Sequence, residues 1–469
     1  MRRTLKIRCV FTAPTVKVGM AGGFTPVAEW GWARNEEEIL GEVRNVKKEL
    51  KKIEDRFDGE VRFEGWDILH NEEEVLARSF EIQNSEVSAV VVFGFAVTVP
   101  YTHAFLTFNK PLIIFAKEFS KPFYGSNLEN AFLAWKFKYE NKSHWVSIVT
   151  DSFDWLSKKI NAIRAISKMK KTKVLCVGPV HQLIGGKPLG IGSYECIREA
   201  EERLGLEVEF ISLEEFIDEF NKTEINSKME ETYRGFLSKA KGKRPEVKDD
   251  EALRAVKCYF ILKNMIARTN SDALMINCYQ SNLIDRLAAA PCFGVARLND
   301  EGVVAGCEAD PNGFVNMLIV SYTSNKPVFM GDPIFNEKNS RVINAHCLCA
   351  SKLKGFNEEC EPYLASIHYE SGRSLSQQTT WEKGRKITGT LLSPTLDTMI
   401  IIKGVVTNSD MGYPACTTQV EFEMAGIDEL WKQCGRHIPF IGHLVTVEGD
   451  HSEEIAEVCK LTGIEPIVV

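Results

Sequence analysis

The strongest constraint on the fold is a regular alternation of short apolar runs with helical patterns. The segments Ser88–Val99, Leu112–Ala116 and Val174–Gly178 are almost entirely apolar, which is typical of strands buried on both faces. Elsewhere, as in Leu40–Ile53, apolar residues recur with the spacing of an amphipathic helix. This alternation predicts two doubly wound α/β domains, each with a parallel sheet covered by helices.

The pattern changes after about Asn339. Segments of β character separated by turns follow, and we expect no long helix before Glu453. A β-barrel-like or compact antiparallel domain fits this part best. The sequence therefore predicts an N-terminal α/β domain at residues 1–170, a second α/β domain at 171–338 and a β-rich C-terminal domain at 339–469.

Composition restricts the class of function. Apolar residues make up 44% of the chain and charged residues 26%, as in ordinary globular proteins. The net charge of −7 argues against nucleic acid as the main ligand, because no basic excess is available to neutralise phosphates. We expect neither a membrane-spanning segment nor a secretory signal. Thirteen cysteines without a Cys-x-x-Cys motif predict reduced, mostly buried thiols, Cys347 and Cys349 among them, in a cytoplasmic protein.

A glycine-rich segment follows the strand that is predicted at Val174–Gly178. Its glycines lack the G-x-G-x-x-G spacing of a dinucleotide site, and no Walker A sequence occurs in the chain. We therefore interpret the segment as a loop over a cleft, and a nucleotide-dependent oxidoreductase lacks its fingerprint.

Two acidic residues lie between a short apolar run and an apolar helix, in the segment Ala305–Gly313. Asp310 suits an N-cap, because Pro311 after it suits the first helical position. Glu308 has no comparable structural explanation. We therefore take Glu308 as a candidate for chemistry.

Three further polar residues lie in apolar surroundings. Asp332 follows the run Pro327–Gly331, and we expect it at the carboxyl end of a buried strand, where α/β sheets bind ligands. His346 and His443 each lie within an apolar run, and either one alone is more simply explained as a hydrogen-bonded core histidine. Together with Glu308, these residues form an oxygen and nitrogen ligand set suited to Mn²⁺ and related divalent ions.

These motifs resemble the L-fucose isomerase / L-arabinose isomerase family, and more specifically its shorter fucose isomerase-like branch. The resemblance rests on Cys-Glu308-Ala-Asp-Pro before a helix, Gly-Asp332 after a strand, Asn-Ala-His346-Cys and Gly-His443-Leu-Val near the end. It implies two α/β domains, a C-terminal β-barrel and a divalent cation, Mn²⁺ or else Co²⁺ or Mg²⁺. It also implies a homotrimer or homohexamer whose sites lie between subunits.

The same resemblance implies roles for individual residues. Glu308 and Asp332 match the acidic ligands that are proposed to transfer protons, and His443 matches the third ligand. His346 matches a histidine ligand of the arabinose-type enzymes, so its role stays open. Trp30 and Trp32 of the first domain are candidates for binding the sugar.

The implied reaction converts L-fucose to L-fuculose, or D-arabinose to D-ribulose, through a cis-enediol. Two alternatives remain. L-Arabinose isomerase uses the same chemistry on another sugar. A non-catalytic sugar-binding protein would also place two α/β domains around a cleft, and only the site distinguishes these functions. We expect a monosaccharide substrate, and neither nucleic acid nor a membrane as a partner.

Overall fold

The computed structural model describes residues 4–13, 36–94, 110–117, 146–180, 193–279, 282–409, 411–437 and 442–469. The chain divides into two compact units, Met1–Ser167 and Lys168–Val469. Parallel sheets and a closed β-barrel confirm the mixed α/β class and the barrel that the sequence predicts. The division into three domains stays a prediction.

The first unit is built on a five-stranded parallel sheet. Every residue of Ala89–Gly94 is buried, as the unbroken apolar run predicts. Asn71 accepts a hydrogen bond from the N–H of Glu74 and so caps the start of the second helix. The strands are β1 (Leu5–Thr12), β2 (Val61–Leu69), β3 (Ala89–Gly94), β4 (Leu112–Ala116) and β5 (Val146–Thr150), in the order β2-β1-β3-β4-β5. The described helices are α1 (Glu36–Arg56), α2 (Glu72–Gln83) and α3 (Phe153–Met169).

The second unit begins with a four-stranded parallel sheet. Its strands are β6 (Lys173–Val177), β7 (Glu207–Ile211), β9 (Ala273–Ile276) and β10 (Val304–Gly306), in the order β10-β9-β6-β7. The described helices of this part are α4 (Ser193–Leu204), α5 (Leu213–Lys222), α6 (Ser227–Lys239), α7 (Asp249–Thr269), α8 (Leu283–Leu287), α9 (Cys292–Asp300) and α10 (Pro311–Ser324). Helix α10 is buried along almost its whole length, and it begins at Pro311, as the sequence predicts.

Six antiparallel strands then close a barrel. They are β11 (Phe329–Asn336), β12 (Arg341–His346), β15 (Lys386–Leu392), β16 (Thr398–Ser409), β17 (Thr418–Met424) and β18 (Leu444–Glu448). Their order is β15-β18-β11-β12-β17-β16, and β16 pairs back to β15. The interior is apolar, with Phe329, Ile400 and Phe422 fully buried. The last strand, β19 (Glu465–Val468), adds to β16 in parallel.

A separate three-stranded sheet lies outside the barrel. It joins β8 (Gly242–Lys243) to β13 (Tyr363–His368) and β14 (Arg373–Thr379). The helices α11 (Ile427–His437) and α12 (Ser452–Thr462) complete the described elements. Helix α11 precedes Glu453 and has 11 residues, as many as α12, so the expectation of no long helix before Glu453 is wrong. Of the described helices, none is long and apolar enough to cross a membrane.

Strand β11 differs from its sequence-based interpretation. The sequence predicts a short buried strand of an α/β sheet, but β11 runs to Asn336 and pairs with the barrel strands β12 and β18. The buried part ends at Gly331, and from Asp332 onward exposed and half-buried residues alternate. An apolar run indicates only the buried half of such a strand. The polar residues of the exposed half resemble a loop in the sequence.

Removal of the Phe422 ring is expected to destabilise the barrel strongly. The side chain is 0% exposed and lies among the apolar residues of the interior. Phe422→Ala should therefore lower the free energy of unfolding by about 3–5 kcal/mol, measured by urea denaturation. Ile334→Ala is the matched control, because Ile334 belongs to the same barrel but is 45% exposed. It should change stability by less than about 0.5 kcal/mol, and equal losses in the two variants would contradict this assignment of the core.

Candidate metal centre

A strained turn between β10 and α10 carries Glu308. Glu308 and Ala309 have positive φ angles of 60° and 46°. Such angles cost residues with a Cβ on the order of 1–3 kcal/mol each and persist only where the surrounding structure fixes them. Here the N–H of Ala309 donates to the carbonyl of Ile276 at 3.0 Å, which holds the turn against strand β9. The Glu308 side chain is 18% exposed and is presented at the carboxyl end of β10.

Asp310 has two roles, of which the sequence predicts one. Its carboxylate accepts hydrogen bonds from the N–H groups of Asn312 and Gly313, both at 3.1 Å, and so caps α10 as predicted. Its Oδ2 atom also lies 2.8 Å from Nδ1 of His443. Because an ionised carboxylate only accepts hydrogen bonds, Nδ1 of His443 carries the proton. Nε2 of His443 therefore points away from Asp310.

The acidic surroundings determine the charge of His443 in the metal-free protein. Burial lowers its pKa, but the hydrogen bond and charge of Asp310, together with the charges of Glu308 and Asp332, outweigh burial and raise the pKa to about 9. The ring is thus an imidazolium at neutral pH when no cation is bound. A divalent cation at Nε2 has to displace a proton, which makes its binding dependent on pH.

His346 lies at the end of β12 and faces the same carboxylate. Its Nδ1 accepts a hydrogen bond from the N–H of Cys347 at 2.8 Å, and its Nε2 lies 3.5 Å from Oε1 of Glu308. Nε2 of His443 lies 3.7 Å from the other carboxylate oxygen of Glu308. The two imidazole rings are 5.4 Å apart between centroids. Glu308 is therefore flanked by both histidines.

Asp332 lies at the edge of this group, but not for the predicted reason. It does not end a strand of an α/β sheet. It lies within barrel strand β11, opposite Ala345 of β12, which brings it beside His346. Its Oδ1 is 3.7 Å from Nε2 of His443, and its side chain is 65% exposed. Asp332 thus reaches the group from the solvent side, while Glu308 reaches it from the interior.

The arrangement fits a divalent cation. One ligand atom from each of Glu308, His346 and His443 lies within 4.8 Å of the others. The Nε2 atoms of both histidines are buried and have no hydrogen-bond partner. Buried polar atoms without partners are uncommon and require an explanation such as an ion. A set of carboxylate oxygens and imidazole nitrogens suits Mn²⁺, Co²⁺ and similar ions.

Tyr279 is a site candidate that the sequence-based reasoning missed. It follows β9, is 52% exposed and donates a hydrogen bond from its hydroxyl to Glu370 at 2.6 Å. Its pKa is raised by partial burial, by that hydrogen bond and by the negative charges of Glu370 and Glu308, so Tyr279 lies within electrostatic range of the centre. Its position just after a buried parallel strand is the signal that could have indicated it.

Other predicted features cannot be placed in the same way. Trp30, Trp32 and the glycine-rich stretch at 185–192 lie outside the described residues.

Cys347 and Cys349 are fully buried, which confirms their predicted place in the core. Beside them, Sγ of Cys278 and Sγ of Cys307 lie 3.1 Å apart, so Cys307 also fixes the start of the turn that carries Glu308.

Curated proteins similar to this chain are sugar isomerases by name. Sulfoquinovose isomerase from Priestia aryabhattai is 23% identical over 209 residues, which are 44% of this chain and 45% of that protein. The protein of the same name from Alkalicoccus urumqiensis is 24% identical over 218 residues, 44% of this chain and 46% of that protein. The chain thus spans less than half the length of these relatives. No protein-family model matches it.

Replacement of Asp310 should change the protonation of His443. Asp310→Asn removes the charge that most strongly favours the imidazolium, so burial should dominate and the pKa of His443 should fall from about 9. The measurement is a pH titration of the metal-free protein by NMR with selectively ¹⁵N-labelled histidine. Asp332→Asn is the matched control, because this carboxylate is exposed and raises the pKa of His443 least among the three carboxylates. An equal decrease in both variants would contradict the role of Asp310.

The same pKa predicts a dependence of stability on pH. The folded-state pKa of His443 is above its ordinary value of 6.5, so protonation of His443 stabilises the metal-free fold. That contribution is fully present below pH 6.5 and is lost as the pH rises to about 9. In urea denaturation of the metal-free protein, His443→Gln should abolish this part of the pH dependence.

Proposed function

We propose that the protein is a metal-dependent aldose–ketose isomerase that acts on a free monosaccharide. The observation that carries this proposal is the convergence of Glu308, His346 and His443, with the buried, partnerless Nε2 of His443 facing the Glu308 carboxylate. The similarity to proteins named sulfoquinovose isomerase supports the same class of reaction.

The cation would be held by Glu308, Asp332 and His443, with His346 as a further candidate. When bound, a divalent ion such as Mn²⁺, Co²⁺ or Mg²⁺ supplies a Lewis acid that stabilises negative charge on the sugar oxygens. His443 is prepared for this role, because Asp310 holds the proton on Nδ1 and leaves Nε2 directed at Glu308.

The two carboxylates would transfer the proton. Isomerisation removes the hydrogen on C2 as a proton and returns a proton to C1, while the hydroxyl proton moves from O2 to O1 by way of the cis-enediol. Glu308 and Asp332 each lie 3.7 Å from the same nitrogen of His443, so both reach one small volume. Glu308, the more buried carboxylate, takes the proton from C2 as the base, and the solvent-exposed Asp332 supplies a solvent-derived proton to C1 as the acid. Exchange with solvent then returns both carboxylates to their starting states.

The charges around the centre favour an uncharged sugar. The described acidic side chains here are Glu308, Asp310, Asp332 and Glu370. A sulfonated sugar, such as the one in the relatives' name, would bring further negative charge toward them. We therefore propose L-fucose, with D-arabinose as a second substrate, rather than sulfoquinovose. The acidic residue at position 332 is the fucose-type choice, which further favours L-fucose over L-arabinose.

We also propose that the enzyme is a homotrimer or homohexamer. In the family that the sequence resembles, a neighbouring subunit completes each site. Trp30 and Trp32 are then candidates for contacting the sugar bound to a neighbour.

Glu308→Gln should lower turnover by about 10²-fold or more, because the amide keeps the size of the side chain but cannot accept the proton. The measurement is exchange of the C2 proton with solvent by NMR, at a Mn²⁺ concentration that saturates the variant. Glu337→Gln makes the same chemical change on the exposed hairpin between β11 and β12 and should leave exchange unchanged. Normal exchange in Glu308→Gln would show that another group is the base.

A competition assay with equal concentrations of four sugars tests the substrate. We expect L-fucose to be converted fastest and D-arabinose second, because these sugars share the configuration at C2–C4 and differ at the far end. A methyl group there is worth roughly 1–3 kcal/mol. L-Arabinose and sulfoquinovose should be poor substrates. Preferential conversion of L-arabinose or of sulfoquinovose would reassign the substrate, and no conversion of any sugar would favour the binding protein.

A further inference from the structure

The two histidines beside Glu308 are not chemically equivalent. His443 donates from Nδ1 to Asp310, so its Nε2 carries a lone pair once the ring is neutral. His346 has the opposite arrangement, because its Nδ1 accepts the N–H of Cys347. A neutral imidazole that accepts at one nitrogen carries its proton on the other. His346 therefore presents an Nε2–H group to Glu308, where His443 presents a lone pair.

The backbone fixes this choice for His346. The β12–β17 ladder ends at His346, so Cys347 lies just beyond it, and Cys347 is fully buried. A buried N–H group needs an acceptor, and the structure provides Nδ1 of His346 at 2.8 Å. If Nε2 of His346 bound a cation, the ring proton would have to sit on Nδ1. Two donors would then face each other in the interior, and the N–H of Cys347 would lose its acceptor.

We propose that His346 is a hydrogen-bond donor that positions Glu308, and that it is not a metal ligand. Its Nε2 lies 3.5 Å from Oε1 of Glu308 and faces the carboxylate whose other oxygen faces His443. A proton on this nitrogen would hold that carboxylate in place. The ligand set is then Glu308, Asp332 and His443. This inference rests on the proposed function and explains why a fucose-type acidic residue and an arabinose-type histidine occur in one chain.

Binding of Mn²⁺ in the absence of sugar tests the assignment, by titration calorimetry and electron paramagnetic resonance. His443→Gln should weaken Mn²⁺ binding by about tenfold or more, because a ligand is lost. His346→Gln should change the affinity less than about threefold, since the Gln amide still offers an N–H group near the position of Nε2. His70→Gln, on the first unit, is the matched control. Equal losses of affinity in His346→Gln and His443→Gln would overturn the proposal.

A second measurement uses only the wild-type protein. In wild-type protein with ¹⁵N-labelled histidine, the Nε2–H signal of His346 should be present before and after addition of Zn²⁺. The Nε2 signal of His443 should shift to that of a metal-bound nitrogen. Loss of the Nε2–H signal of His346 on addition of Zn²⁺ would show that it is a ligand. If the wild type bound neither Mn²⁺ nor Zn²⁺, the proposed function would fail, while the same signal would still decide whether His346 is a donor.

Activity provides a third comparison. His346→Glu supplies a ligand without a proton donor, whereas His346→Gln supplies a donor. If His346 is the donor, the Gln variant should retain more C2 proton exchange than the Glu variant at saturating Mn²⁺. The reverse order would overturn the proposal.

Discussion

One buried carboxylate connects the parallel-sheet part of the second unit to the barrel. Asp310 is 3% exposed, caps helix α10 through two backbone N–H groups, and holds the ring of His443 just before β18. The helix fixes the position of the carboxylate. The carboxylate in turn determines which ring nitrogen of His443 carries the proton. A positioned acidic partner of this kind is a common feature of metal-binding histidines.

The close approach of Asp310 and His443 depends on a small residue at position 313. A Cβ added to Gly313 would lie 2.6 Å from Oδ2 of Asp310 and 3.3 Å from Cβ of His443. The first turn of α10 therefore leaves room for the carboxylate and the ring together. The strained turn at Glu308 and Ala309 precedes this helix, so the whole segment from β10 to α10 is shaped around the centre.

The sequence predicts the elements of this structure better than their pairing. Strand β4 and the start of helix α10 follow from local sequence patterns, and Glu308, His346 and His443 are found from polar residues in apolar runs. The placement of β11 in the barrel is not found, because barrel closure depends on contacts between distant segments that a local pattern does not contain. The second role of Asp310 is missed for the opposite reason. Its N-cap position alone accounts for an acidic residue there, and its second partner, His443, lies 133 residues away along the chain.

The charges around His443 explain how a folded protein can hold several carboxylates so close together. Three carboxylates, those of Glu308, Asp310 and Asp332, act on the one imidazolium of His443. The metal-free centre thus carries an excess of negative charge, and Glu308 and Asp310 are largely shielded from solvent. A divalent cation that replaces the proton on Nε2 reduces this excess and gives that partnerless atom a partner. The features that destabilise the metal-free centre are therefore those that favour binding of a divalent cation.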